Sequence, residues 1–213
     1  MIKLRLTEIF FSLQGETNTV GLPTVFVRLT GCPLRCQYCD TAYAFHGGQW
    51  YDVADILIEI KKYQTRYITV TGGEPLAQKA CLPFLTHLCD MNYFVSLETS
   101  GALDVSQVDP RVVKVIDIKT PGSGEAEKNE WRNLSYLTPS DQVKFVICDE
   151  MDYLWSKQKM IDYALLDKCQ VLFSPSYTQI EANKLADWIL HDQLPVRMQI
   201  QLHKFLWGDV KGR

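Results

Sequence analysis

Strand after strand in this chain carries one apolar face and one polar face, and this alternation constrains the fold more than any other feature. In residues 24–30, Val25, Val27 and Leu29 share one face while Phe26, Arg28 and Thr30 share the other. Ile68 and Val70 oppose Thr69 and Thr71, and Val95 and Leu97 oppose Ser96 and Glu98. Val143, Phe145 and Ile147 oppose Gln142 and Lys144, and Met198 and Ile200 oppose Arg197, Gln199 and Gln201. The apolar faces can pack beneath helices. Burying Arg28, Glu98 and Lys144 without partners is costly, so the polar faces are expected to line a wet, ligand-holding cavity. A sheet with one solvated face is the plainer alternative.

Strands are expected over residues 24–30, 67–71, 93–98, 113–119, 142–148, 170–173 and 196–201, rich in Val, Ile and Phe and mostly bounded by Gly, Pro or Asp. Helical patterns fall between several of them. Val53, Ile56, Leu57 and Ile60 follow helical spacing behind an Asp52 N-cap. Residues 82–89 read as a second helix, and Thr178 with Glu181 makes a capping-box pattern opening a third towards Leu190. The polar stretch 122–133 reads as a mobile loop. Strands alternating with helices imply parallel pairing and an α/β architecture. Roughly six units fall short of the eight of a full barrel. A partial (incomplete) β/α barrel of about six parallel strands is therefore expected, with a doubly wound open sheet as the other arrangement the pattern allows. No low-complexity linker interrupts residues 1–213, so one domain is expected.

Composition excludes some partners. The formal net charge is -3 with 22% charged residues, which gives no electrostatic footprint for nucleic acid or an anionic membrane. No apolar run reaches the roughly 18 residues of a membrane span. Residues 1–6 alternate charge with aliphatics and lack a secretory core, so a cytoplasmic setting is expected. Seven cysteines, an odd number in a reducing compartment, favour a metal site over a disulfide framework.

The strongest local signal is Cys32, Cys36 and Cys39, spaced C-x3-C-x2-C directly after the first of these strands. Three thiolates on one short loop can converge on a soft metal centre. Three is one fewer than a four-cysteine site requires, which leaves a coordination position open for catalysis. On spacing alone, a zinc knuckle completed by His46 also fits, and with it a non-catalytic zinc-binding interaction module. Cys81, Cys89, Cys148 and Cys169 are scattered and read as small core hydrophobes.

The cysteine spacing, with aromatic Tyr38 just before Cys39, resembles the cluster loop of the radical S-adenosylmethionine superfamily. The segment Thr71-Gly72-Gly73-Glu74-Pro75 looks like the GGEP segment that meets the cofactor's amino group in that superfamily. Two glycines let backbone approach a ligand closely, and consecutive strand ends are where α/β proteins bind ligands. Further segments resemble the 7-carboxy-7-deazaguanine synthase family: Ser12–Thr17, with Gln14-Gly15-Glu16; Phe26–Leu29, with Arg28; Cys39-Asp40-Thr41; Glu98–Gly101; and Gln201–Lys204.

That resemblance implies a lyase that cleaves S-adenosylmethionine reductively at a 4Fe–4S cluster. It contracts the ring of 6-carboxy-5,6,7,8-tetrahydropterin to 7-carboxy-7-deazaguanine with loss of ammonia, on the route to queuosine and related 7-deazapurines. It also implies a magnesium ion, a homodimer and an electron donor such as flavodoxin. Cys32, Cys36 and Cys39 would hold the cluster. Tyr38, Cys39, Asp40, Gly73, Glu74, Ser100, Lys119, Thr120, Pro121, Ser174 and Gln201 would contact S-adenosylmethionine, and Thr41 would bind magnesium. Leu13, Gln14, Gly15, Glu16, Arg28 and Thr71 would meet the pterin, with the planar fork of Arg28 suited to its carboxylate.

Plainer readings stand beside these. On these, Arg28 pairs with Glu98 structurally, Gln14-Gly15-Glu16 is a turn, and Thr41 caps one. His46 and His87 read as surface residues, Trp155 and Trp188 as packing residues. A glycyl-radical activating enzyme is the nearest alternative within the superfamily. The terminal stretch 207–213, where the resemblance implies a segment that closes over the substrate, is here basic and contains glycine.

Overall fold

A computed structural model describes residues 2–212; Met1 and Arg213, the ends of the two terminal segments read above, lie outside the described residues. In chain order the elements are β1 (Lys3–Leu13), β2 (Pro23–Leu29), β3 (Gln49–Asp52), α1 (Val53–Ile60), β4 (Tyr67–Gly72), α2 (Cys81–Asp90), β5 (Phe94–Thr99), β6 (Val113–Ile118), β7 (Gln142–Ile147), α3 (Glu150–Asp162), β8 (Gln170–Pro175), α4 (Ala182–His191), β9 (Arg197–Met198) and α5 (Leu202–Trp207). They build one nine-stranded sheet in the order β3-β1-β2-β4-β5-β6-β7-β8-β9. Every pairing from β2·β4 to β8·β9 is parallel, while β1 runs antiparallel to both β2 and β3. This is the expected α/β partial barrel, extended by an antiparallel flap.

The sheet curls far enough to bring the chain beyond β1 against the chain beyond β9. The segment after β9 meets the loop after β1, where Leu202 N donates to Gly15 O at 3.2 Å and Gln199 Nε2 to the same oxygen at 3.3 Å. Asn18 N reaches Gln142 Oε1 on the far strand β7 at 2.8 Å.

In β2, β4, β5 and β7 the alternation resolves as the burial argument requires; past Met198 it fails, since Ile200 is exposed and Gln199 buried. Val25, Val27, Ile68, Val70, Val95, Leu97, Val143, Phe145 and Ile147 all join the core beneath the helices. Ile56 and Ile60 of α1 and Phe84, Leu85 and Leu88 of α2 are fully buried against it. Phe145 and Phe173 meet edge to face at 5.6 Å on adjacent strands, and burying each such ring stabilises the fold by about 2–3 kcal/mol. Cys81, Cys89, Cys148 and Cys169 are buried as small hydrophobes, and all seven cysteines are free thiols.

Several local expectations are corrected. The last strand spans only Arg197–Met198 rather than 196–201. Past it, the Ser174 hydroxyl takes the Gln199 carbonyl at 2.8 Å, so the backbone ladder stops there. Helix α4 begins behind Glu181, not Thr178, because residues 176–180 are held in turns onto the Ser176 carbonyl. The stretch 122–133 is not a loose loop but a chain of 3-10 turns pinned by two buried asparagines. Asn129 exchanges hydrogen bonds with both backbone groups of Lys119, at 2.9 and 2.8 Å, and Asn133 bonds Gly101 O, Leu103 O and Val105 N. Strands β1 and β3 and helices α3 and α5 had no counterpart among the expected elements.

Candidate active site

The polar strand faces line one cavity of about 540 Å³, a volume suited to small-molecule ligands. Its wall takes Arg28 from β2, Thr71 from β4, Glu98 from β5, Asp117 from β6, Lys144 from β7 and Ser174 from β8. The three loop cysteines, Tyr38, Asp40, Thr41, Gly73, Ser100, Lys119 and Gln201 stand at the same cavity, as do Leu13, Gln14, Gly15 and Glu16. The structure therefore brings together residues that the sequence scatters from position 13 to position 201.

The cysteine loop leaves β2 through Gly31, whose backbone is left-handed at φ +104°, a conformation cheap only for glycine. Gly31 O accepts from Glu74 N at 2.8 Å, tying the loop to the end of β4. A Cβ on Gly73 would stand 2.4 Å from Gly31 O and 2.7 Å from Cys32 Cβ, so only glycine permits this approach. Arg35 braces the turn through Cys32 O at 2.8 Å and Leu34 O at 2.6 Å. The three thiols are half-buried. Burial raises all three above the ordinary thiol value, Cys36 to about 11. Among the described residues no trio of Cys, His, Asp or Glu side chains already converges on a metal position. The donor chemistry nonetheless fits an iron–sulfur centre: three thiols on one cavity wall, none in a disulfide, with a glycine cradle beside Cys32. His46 is exposed, off the cavity wall and edge-on to Phe45 at 6.5 Å, so the zinc-knuckle arrangement is not formed.

A charged network crosses the floor. Lys144 Nζ lies 3.0 Å from Glu16 Oε2 and 3.4 Å from Asp117 Oδ2, and Lys119 Nζ lies 3.1 Å from Asp117 Oδ1. Burial alone would raise Glu16, but its neighbours, Lys144 foremost, hold the carboxyl below its ordinary value. Asp117 is lowered likewise, burial being outweighed by Lys119 and Lys144. Glu98 goes the other way. Burial and the nearby Glu16 charge raise it, against Lys144 and hydrogen bonds from Gln14 Nε2 at 3.2 Å and Thr71 Oγ1 at 3.0 Å.

At the cavity rim, Gln201 Nε2 bridges Glu16 Oε1 at 2.9 Å and Asp40 Oδ2 at 3.0 Å, and Lys204 Nζ pairs with Asp40 at 3.0 Å. Burial would raise Asp40, yet Lys204 and the hydrogen bonds hold it well below the usual carboxylate range. The Thr41 hydroxyl donates to Asp40 Oδ1 at 2.8 Å, which leaves its lone pairs available to a hard cation.

The sequence pattern of the Radical SAM superfamily matches residues 26–117. The 7-carboxy-7-deazaguanine synthase of Chlorobaculum tepidum is 43% identical over 98% of this chain and 97% of its own length. That of Koribacter versatilis is 40% identical over 98% of this chain and its full length. The chain belongs to the 7-carboxy-7-deazaguanine synthase family. The fold agrees: a crystal structure of QueE from Escherichia coli superposes with a TM-score of 0.78 at 20% identity, covering 94% of this chain and 95% of that one.

In this member of the 7-carboxy-7-deazaguanine synthase family, three residues expected at the cofactor stand off the cavity wall: Glu74, Thr120 and Pro121. The Glu74 carboxylate is wholly buried. It accepts from Thr99 Oγ1 at 2.9 Å, Ser100 N at 2.7 Å, Ser100 Oγ at 2.5 Å and Leu76 N at 3.0 Å. The Thr120 hydroxyl turns away to Val146 O and Asp152 Oδ2, and Pro121 is exposed. Arg28 pairs with Glu8 rather than Glu98.

Sequence reasoning gave no role to Glu8, Phe10, Tyr43 or Asp117, nor to His203 and Lys204 within the segment Gln201–Lys204. Asp117 was hidden because Val113–Ile118 has no clean alternation: Lys114 lies on the far face, paired with Asp141 at 2.9 Å. Gly15 carried the signal for His203, since a Cβ there would meet His203 Nδ1 at 2.7 Å.

Proposed function

We propose that one domain covering residues 1–213 carries out the family's reaction, ring contraction of 6-carboxy-5,6,7,8-tetrahydropterin to 7-carboxy-7-deazaguanine with loss of ammonia, and that the cavity residues divide its labour as follows. Cys32, Cys36 and Cys39 hold three irons of a 4Fe–4S cluster. The cluster and S-adenosylmethionine, when bound, supply the one-electron radical initiation that side chains cannot. The Tyr38 and Gly73 backbones, Ser100, Lys119, Ser174 and Gln201 orient S-adenosylmethionine. Glu74 serves it indirectly, by fixing Ser100. Thr120 and Pro121 contribute backbone at most.

Arg28 binds the pterin carboxylate through its paired terminal nitrogens. Gln14, Gly15, Glu16 and Thr71 read the polar edge of the ring, with Leu13 packed beside them. Lys144 holds Glu16 ionised and in place. Thr41 offers its hydroxyl to Mg²⁺ together with substrate oxygens. The homodimer, the flavodoxin-type reductant and Mg²⁺ are supported by family resemblance. A cytoplasmic setting fits seven free thiols; no helix among the described residues is long and apolar enough to cross a membrane.

The observation that carries this reading is the convergence of the cysteine loop, Gly73, Arg28 and the Glu16–Lys144 pair on one cavity. Mass spectrometry of an anaerobically reconstituted, reduced sample given the tetrahydropterin tests it. The carboxy-deazaguanine product and ammonia are expected; deoxyadenosine released without any pterin-derived product overturns it.

A further inference from the structure

Glu8 and Arg28 stand directly opposite each other in the antiparallel β1–β2 ladder, where cross-strand side chains touch. Glu8 faces this way because β1 carries one extra residue between Leu6 and Glu8. Before this bulge Leu4 and Leu6 face the core. After it, Ile9 packs on the core, while Glu8 and Phe10 turn to the cavity side. Bulges commonly re-aim side chains in this manner.

Glu8 Oε1 accepts from Arg28 Nε at 2.7 Å and from Tyr43 OH at 2.8 Å. The Phe10 and Tyr43 rings flank the guanidinium at 5.4 and 5.9 Å, and Phe10 is itself stacked on Phe26 at 4.8 Å. Among the described residues Arg28 is bonded through Nε alone. The guanidinium fork has further donors on its terminal nitrogens, and Arg28 lines the cavity.

We infer that Glu8, steadied by Tyr43, is a positioning residue that occupies Arg28 Nε, so that the two terminal nitrogens present a bidentate edge to the substrate carboxylate. The inference rests on the reading of Arg28 as the carboxylate ligand. Its sign is diagnostic. Through charge alone, Glu8 repels an incoming carboxylate, and its removal would tighten binding. As a positioning device, its removal loosens binding.

Equilibrium dialysis of the reconstituted holoenzyme against 6-carboxypterin and unsubstituted pterin reads this directly, as the ratio of their Kd values. Glu8→Ala is expected to lower the preference for the carboxylated ligand about ten-fold, the scale of a lost charge-assisted geometry, with Kd for pterin and for S-adenosylmethionine unchanged. Glu8→Gln keeps the acceptor and is expected to restore most of the preference. Tyr43→Phe is expected to cost less, about two- to three-fold, because Arg28 Nε still holds Glu8 Oε1 when the tyrosine's hydrogen bond is lost, and it carries the test should Glu8→Ala fail to fold. An unchanged preference in Glu8→Ala, or in Tyr43→Phe where that variant stands in, overturns the role of Glu8. Arg28→Ala separates the two failures: loss of all preference upholds the carboxylate reading whatever Glu8 does, and a retained preference removes that reading and this inference together.

Discussion

Lys144 reaches Glu16 across 128 positions of sequence, Nζ to Oε2 at 3.0 Å, and the pair is the centre of the cavity's charge balance. The same ammonium stands 3.4 Å from Asp117, so one cation serves two largely buried carboxylates. Breaking a buried pair by removing one partner strands the other charge. Lys144→Met is therefore expected to cost about 3 kcal/mol of stability and to raise KM for the pterin. Urea unfolding and steady-state kinetics check both effects; unchanged stability would mean that solvent already screens Glu16.

Glu98 gives the pH dependence. Its carboxyl is raised by burial and by the Glu16 charge, and it accepts hydrogen bonds from Gln14 and Thr71 as an ionised group would. A raised pKa means that protonation begins at a higher pH than for an ordinary carboxylate, so the ionised acceptor that orients Gln14 and Thr71, both proposed pterin contacts, is lost as pH falls through that raised value. The acid limb of kcat/KM is expected above the ordinary carboxylate range. In Glu98→Gln it should move to lower pH or vanish; a limb in the same place assigns it to another group.

Glu74→Gln tests the support behind Ser100. The wholly buried carboxylate accepts from two hydroxyls and two backbone amides. An amide nitrogen in place of one oxygen faces donors it cannot satisfy, at about 1–3 kcal/mol. S-adenosylmethionine is expected to bind more weakly by roughly ten-fold or more, with pterin affinity retained. Equal losses for both ligands would show general unfolding instead.

Thr41 is the place to test the metal. Its hydroxyl donates to Asp40, and Thr41→Val removes the oxygen proposed to meet Mg²⁺ while keeping the side chain's shape. Turnover is expected to fall and the Mg²⁺ concentration for half-maximal rate to rise. Full activity of the wild-type protein in chelator would remove the metal from the reaction.

Much of the fold was legible because it rests on short-range pattern. The period-two faces of β2, β4, β5 and β7, and helices α1 and α2, all repeat within a few residues. Strand β1 escaped because its bulge breaks the period between Leu6 and Glu8, which moves the apolar positions from even to odd numbers. Strand β3 pairs at the sheet edge with Gln49, Trp50 and Tyr51 exposed, so it shows no buried face. Helix α3 hides its inner face, since two of its buried positions are Asp152 and Ser156. Asp152 accepts from Thr120 Oγ1, Gly122 N and Cys148 N, so this polar face belongs to the loops beside the cavity.

The sequence by itself determined which groups this protein brings to its cavity: three cysteines on one short loop, a glycine pair that lets backbone approach closely, and a polar face on successive parallel strands. These are local properties, set by residue type and by spacing over a few positions. Only the tertiary structure decided the partners: Glu8 for Arg28, Lys144 for Glu16, Lys204 for Asp40, and Ser100 for Glu74. Each of those pairings depends on register, on one bulge, or on the curvature that brings the chain after β9 against the loop after β1. No local pattern encodes such distances, because they are fixed by how the whole sheet closes around its cavity.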